Sequence, residues 1–154
     1  MGHTRRDAVD RCLSHCDSLQ KLVVLSVREP YSYWQSTYQY AKDGVATAIR
    51  APAWAMESLS NFVFFAARRG YSQQQRIKRA CGDPCAFDVL LRTESLTTDW
   101  ANLLEGLSLP PIALPHLNPS SAHHEAYAEL TRQDLDAINS ADAWVFRTFG
   151  YAMR

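Results

Sequence analysis

The stretch Leu22-Val23-Val24-Leu25-Ser26-Val27-Arg28-Glu29-Pro30-Tyr31-Ser32-Tyr33-Trp34-Gln35-Ser36-Thr37-Tyr38 decides how this chain is read. A short apolar run closed by a charged turn predicts a buried strand over residues 21–27. Pro30 then opens a helix over residues 30–42, because its missing N–H and fixed φ suit the first helical position. The unpaired amides of a first turn, at the positive end of the helix dipole, favour an anion. The junction is therefore a candidate phosphate site. Arg28, at the carboxyl end of the strand, offers a guanidinium fork to phosphate oxygens. Glu29, Ser32 and Ser36 fall near one face of the helix, which brings the Ser36 hydroxyl to the same side.

Outward from this junction the pattern is mostly helical. Val9, Leu13 and Cys16 share a face of a first helix over residues 4–16. Leu59, Phe62, Val63 and Ala66 keep helical spacing within a packing helix over residues 54–68, and a further helix is predicted over 71–80, ended by Gly82-Asp83-Pro84. The apolar run of residues 86–91, interrupted by Asp88, predicts a second strand, buried on both faces in a parallel sheet. A helix follows over 95–104. Pro110, Pro111, Pro115 and Pro119 make residues 107–119 an extended loop. Thr131 with Asp134 gives a cap-like start to a single last helix, with Leu135, Ile138, Ala141 and Val145 facing the core and Gly150 stopping it. Strands alternating with helices give an α/β layer arrangement. The expected fold is a helix-rich domain over residues 1–154, with a short parallel sheet flanked by helices.

The run R-E-P-Y-S-Y-W-Q-S-T-Y resembles the R-[DE]-P-x(5)-S-x-Y element with which sulfotransferases bind the 3′-phosphate of 3′-phosphoadenosine 5′-phosphosulfate. Phe87 to Trp100, F-D-V-L-L-R-T-E-S-L-T-T-D-W, is similar to the later strand and helix start of that family, and Leu114 to Ser121, L-P-H-L-N-P-S-S, to its late loop. The F-G-Y of Phe149 to Tyr151 resembles the ending of many carbohydrate sulfotransferases. The resemblance implies a partial P-loop-like sulfotransferase fold and transfer of a sulfuryl group to a carbohydrate hydroxyl. It implies Arg28 and Ser36 on the 3′-phosphate, with Asn118 and Ser120 of the late loop as further donors to the nucleotide. Asn-Pro-Ser is equally ordinary turn chemistry. Gly2-His3-Thr4 resembles the segment that supplies a catalytic histidine in some uronyl sulfotransferases, which makes His3 the candidate base; a histidine so near a chain end is also a common disordered residue.

The family's lysine-containing loop, which holds the 5′-phosphosulfate, has no match here. The expectation is an N-terminally truncated, incomplete or inactive sulfotransferase, or a non-catalytic remnant that binds nucleotide or glycan. The chemistry is an in-line displacement carried by positioning, a base and cations, and requires no metal.

Sixteen basic and sixteen acidic residues balance to a formal charge of zero, so no global field draws the chain to nucleic acid or an anionic membrane. The partner expected is instead a carbohydrate acceptor, met by a local patch, and Arg68, Arg69, Arg76, Lys78 and Arg79 form the one basic cluster. They read either as a solvated helix face or as glycan contacts. No run of about eighteen apolar residues spans a bilayer. The chain is expected to be soluble as given, with the Golgi lumen as its compartment if an N-terminal anchor precedes it. Cys12 and Cys16, then Cys81 and Cys85, form two C-x-x-x-C pairs, read as packed thiols, a small disulfide loop or, with the histidines, a zinc site. Glu94 reads as a residue orienting substrate or Arg92, or as a plain helix-start carboxylate.

Overall fold

Two strands lie side by side at the centre of the fold: β1, Val24–Val27, pairs in parallel with β2, Val89–Arg92, with Val24 opposite Val89 and Val27 opposite Arg92. This is the parallel pairing expected, though each strand is shorter than its run and neither is buried on both faces. The computed structural model describes residues 22–44, 49–82, 86–114 and 130–154. Six helices pack with the strands and with one another among the described residues: α1 Pro30–Lys42, α2 Leu59–Arg68, α3 Gln73–Cys81, α4 Leu96–Gly106, α5 Arg132–Ala141 and α6 Ala143–Phe149. A helix-rich α/β arrangement with a short, flanked parallel sheet is thus what the chain adopts.

Side chains alternate across a strand, and the two faces of this sheet are covered differently. Leu25 and Val27 are buried against Ile77 of α3 and Val145 and Phe149 of α6. On the other face α4 packs over β2 alone, so Leu91 is buried while Val24 is 42% exposed. A second, larger core forms between helices. Trp34 and Tyr31 of α1, Phe62 and Ala66 of α2, Ile138 of α5 and Phe146 of α6 meet there, each at most 2% exposed. Burying each large side chain stabilises the fold by about 1.5–3 kcal/mol.

Local chemistry sets where the helices start. The helix expected over residues 54–68 is instead a 3₁₀ turn, Ala53–Met56, followed by α2, because the Ser58 hydroxyl accepts from the Asn61 amide and begins a new helix. Ser72 caps α3 in the same way. Thr131 and Asp134 form a reciprocal capping box at α5. The single last helix of the sequence reading is divided at Asp142. That residue leaves helical geometry, with φ −114° and ψ 22°, and turns its carboxylate inward, so α6 starts anew before Gly150 ends it in the left-handed region. The expected first helix and the late loop lie outside the described residues. The segment after α4 is irregular as the prolines predict, and it returns across α4, where the Trp100 indole N–H donates to the Ile112 carbonyl at 2.8 Å.

Candidate functional site

The carboxyl ends of β1 and β2 place two charged turns beside each other, Arg28-Glu29 after β1 and Thr93-Glu94 after β2. Ligands in open α/β sheets bind at this edge. The Thr93 hydroxyl donates to the Val27 carbonyl at 3.0 Å, tying the second turn to the first strand. Alternate residues of a strand direct their N–H and C=O to opposite sides. Val23 and Val27 direct theirs toward β2, so Arg28 turns its own pair away from it. There the Gln73 side-chain amide takes both groups: the Arg28 N–H donates to Gln73 Oε1 and Gln73 Nε2 donates to the Arg28 carbonyl, each at 2.8 Å. Gln73 is 5% exposed, so its geometry is held by packing. This clamp fixes the Arg28 backbone, while the Arg28 guanidinium and the Ser36 hydroxyl make no hydrogen bond or ion pair with another described residue. Both residues are half-buried, Ser36 lying more than a turn along α1 from the junction.

The expected role of the helix amides is corrected. Glu29 caps α1 itself, its carboxylate accepting from the Ser32 N–H at 2.8 Å, and Glu94 accepts from the Glu29 N–H at 2.6 Å. Two carboxylates thus sit at the positive pole of α1, where negative charge is stabilised. The Ser32 amide of the first turn is therefore taken by Glu29 and is not open to an anion.

Glu94 also ties the chain's last turn to the edge. It accepts from the Tyr151 hydroxyl at 3.1 Å, and the Arg92 guanidinium lies 5.2 Å from the Tyr151 ring centre and donates to the Phe149 carbonyl at 2.8 Å. Burial, with the Glu94 charge and hydrogen bond behind it, pushes the Tyr151 phenol up to about 12. Asp99 of α4 is held below the usual carboxylate range by the Arg92 N–H, which donates to it at 2.8 Å, and by the Ser95 hydroxyl. Behind the edge, the fully buried Asp142 accepts from the Trp34 indole and from the Gln74 amide, both at 2.7 Å. Burial raises its carboxyl despite those donors.

Of the predicted site residues, Arg28 stands just before α1 and Ser36 in the middle of that helix. His3, Asn118 and Ser120 lie outside the described residues, as do all five histidines and Cys12, Cys16 and Cys85. Among the described residues no three histidine, cysteine or acidic side chains gather as a metal-donor set, and no helix is long and apolar enough to cross a membrane. A cleft of about 450 Å³, lined by Leu22, Val89, Leu90, Asp99, Leu103 and Leu107, opens between the sheet and α4, on the flank of the strands rather than at the Arg28 junction. Gln73 has no mark in sequence as a member of the edge. Tyr151 is marked only by its position in the closing F-G-Y. Compared with protein-family models, curated proteins and solved structures, the chain matches none.

Proposed function

We propose that the carboxyl edge of the sheet is the 3′-phosphate site of a sulfotransferase-like domain of P-loop-like fold, taking a sulfuryl group from 3′-phosphoadenosine 5′-phosphosulfate to a carbohydrate hydroxyl. One observation carries this reading: the Arg28 backbone is clamped on both sides by Gln73, while its guanidinium is left for a ligand. A fixed backbone lowers the ordering cost of binding, and a guanidinium matches two phosphate oxygens at once. Ser36 adds a hydroxyl donor, and His3, Asn118 and Ser120 take the roles their motifs imply. The setting that goes with this reading is the Golgi lumen.

A second reading, binding of nucleotide or glycan without transfer, is favoured by the edge chemistry. Glu94 is engaged by the Glu29 amide and the Tyr151 hydroxyl, and Tyr151 keeps its proton to about 12, so that phenol is no base near neutral pH. Adenosine 3′,5′-bisphosphate tests the site itself. At a hundred times its Kd the nucleotide stabilises the fold by about 2.7 kcal/mol, and Arg28→Ala is expected to remove most of that shift. An equal shift in the variant overturns the phosphate assignment. A transfer assay with labelled donor over a panel of glycans then separates the readings, turnover supporting the enzyme and binding without turnover the second.

A further inference from the structure

The outer surface of α2 and α3 carries a charge pattern that the sheet edge does not use. Residues 58–82 include Arg68, Arg69, Arg76, Lys78 and Arg79 and no aspartate or glutamate, although the whole chain is neutral. The positive charge is therefore local to two consecutive helices. The fold joins its two halves at the turn between them: Gly70 sits at φ +67°, and a side chain there would meet Arg79 Nη2 at 3.3 Å, so Arg79 lies over the turn that follows Arg69.

Cations in the last turn of a helix complement its dipole, which accounts for part of this pattern. It does not account for the aromatic rings beside them. Trp54 and Phe64 are 44% and 46% exposed. Arg68 lies 3.9 Å over the Phe64 ring, Arg69 lies 5.9 Å from the Phe65 ring, and Trp54 meets Phe65 edge-on at 6.0 Å. None of Arg68, Arg69 and Arg79 forms an ion pair with a described carboxylate, which leaves guanidinium donors for an anion, whereas Arg76 lies 5.8 Å from the Tyr33 ring. Glu57, exposed at the Trp54 end, is the nearest acid in the sequence before this stretch.

Two features select the ligand. Guanidinium forks match sulfate and carboxylate oxygens bidentately, and an exposed flat ring receives the apolar C–H face of a sugar. Duplex nucleic acid offers a protein surface mainly phosphates, which leaves the rings unused. We propose that this strip binds a sulfated polysaccharide, with the arginines on sulfates and Trp54 and Phe64 against sugar rings. The binding is independent of the Arg28 site.

The test is affinity for heparin across a salt series. The chain is expected to be retained despite its neutral charge, and the R68Q/R69Q variant to lower the slope of log affinity against log salt by about two. Phe64→Ala and Trp54→Ala are each expected to weaken binding about tenfold with the slope unchanged. Arg132→Gln, at an exposed pair with Asp136 on α5, serves as the control that leaves retention as it was. Far-UV circular dichroism of every variant confirms that folding is kept. Unchanged retention of R68Q/R69Q overturns the proposal. So do aromatic variants that bind as tightly as the parent, and so does equal affinity for a duplex DNA of matched charge.

Discussion

Glu94 shows how one side chain joins parts of the chain that the sequence keeps apart. Its two oxygens take the Glu29 amide, 65 residues away, and the Tyr151 hydroxyl, 57 residues away. A phenol that donates to a carboxylate loses that bond and gains repulsion when it ionises, so the fold favours the neutral form. The sign of the pH effect follows. The folded value is raised from 10.0 to about 12, so the stability this contact contributes is complete below pH 10 and is lost as pH rises through 12. Ultraviolet titration of tyrosinate is expected to show Tyr151 ionising about two units late, beside the buried Tyr33, whose phenol burial also raises. Tyr151→Phe removes that late step. Glu94→Gln brings it only part of the way down, because burial is the larger cause. A two-unit late step that stays undiminished in Tyr151→Phe assigns it to another tyrosine.

At the scale of elements, what decides the architecture is where helices stop. The apolar spacing from Leu135 to Val145 is continuous, and spacing alone predicts one helix. Asp142 interrupts it because its carboxylate makes better bonds inward, to the Trp34 indole and the Gln74 amide, than a solvated helix side chain would. The same oxygens connect α1, α3 and the α5–α6 break. Asparagine keeps the shape but turns an N–H₂ group toward one of two N–H donors. Asp142→Asn is therefore expected to destabilise the protein by about 1–3 kcal/mol, the cost of a buried polar group left unpaired. Denaturant unfolding followed by tryptophan fluorescence measures it. An unchanged midpoint shows that Asp142 is held by packing alone. The α1 start is a contrasting case, since Pro30 and the acid before it are adjacent in sequence and the helix begins where they predict.

For the whole molecule the question is whether its two cores behave as one. Tyr151 packs against both, and the Asp142 network spans the helices between them. Phe146, 2% exposed and 5.3 Å from the Tyr31 ring, lies in the larger core one turn before Phe149 of the smaller. Phe146→Ala is expected to cost about 3–5 kcal/mol. Helical and aromatic signals are expected to vanish together at a lower denaturant concentration, because losing either core exposes the other. Two separated transitions refute that coupling. What the sequence by itself determined was local: two apolar runs as strands, the proline-opened helix and the Thr131 cap. Neighbouring residues dictate these through φ restriction, capping and periodicity. Only the tertiary structure decided that Gln73 clamps Arg28 from 45 residues away, that Trp34 and Asp142 meet across 108, and that acids rather than open amides face the helix end. Those pairings are set by how helices pack against the sheet, and side chains so far apart in the chain leave no periodic trace of the partner they will meet.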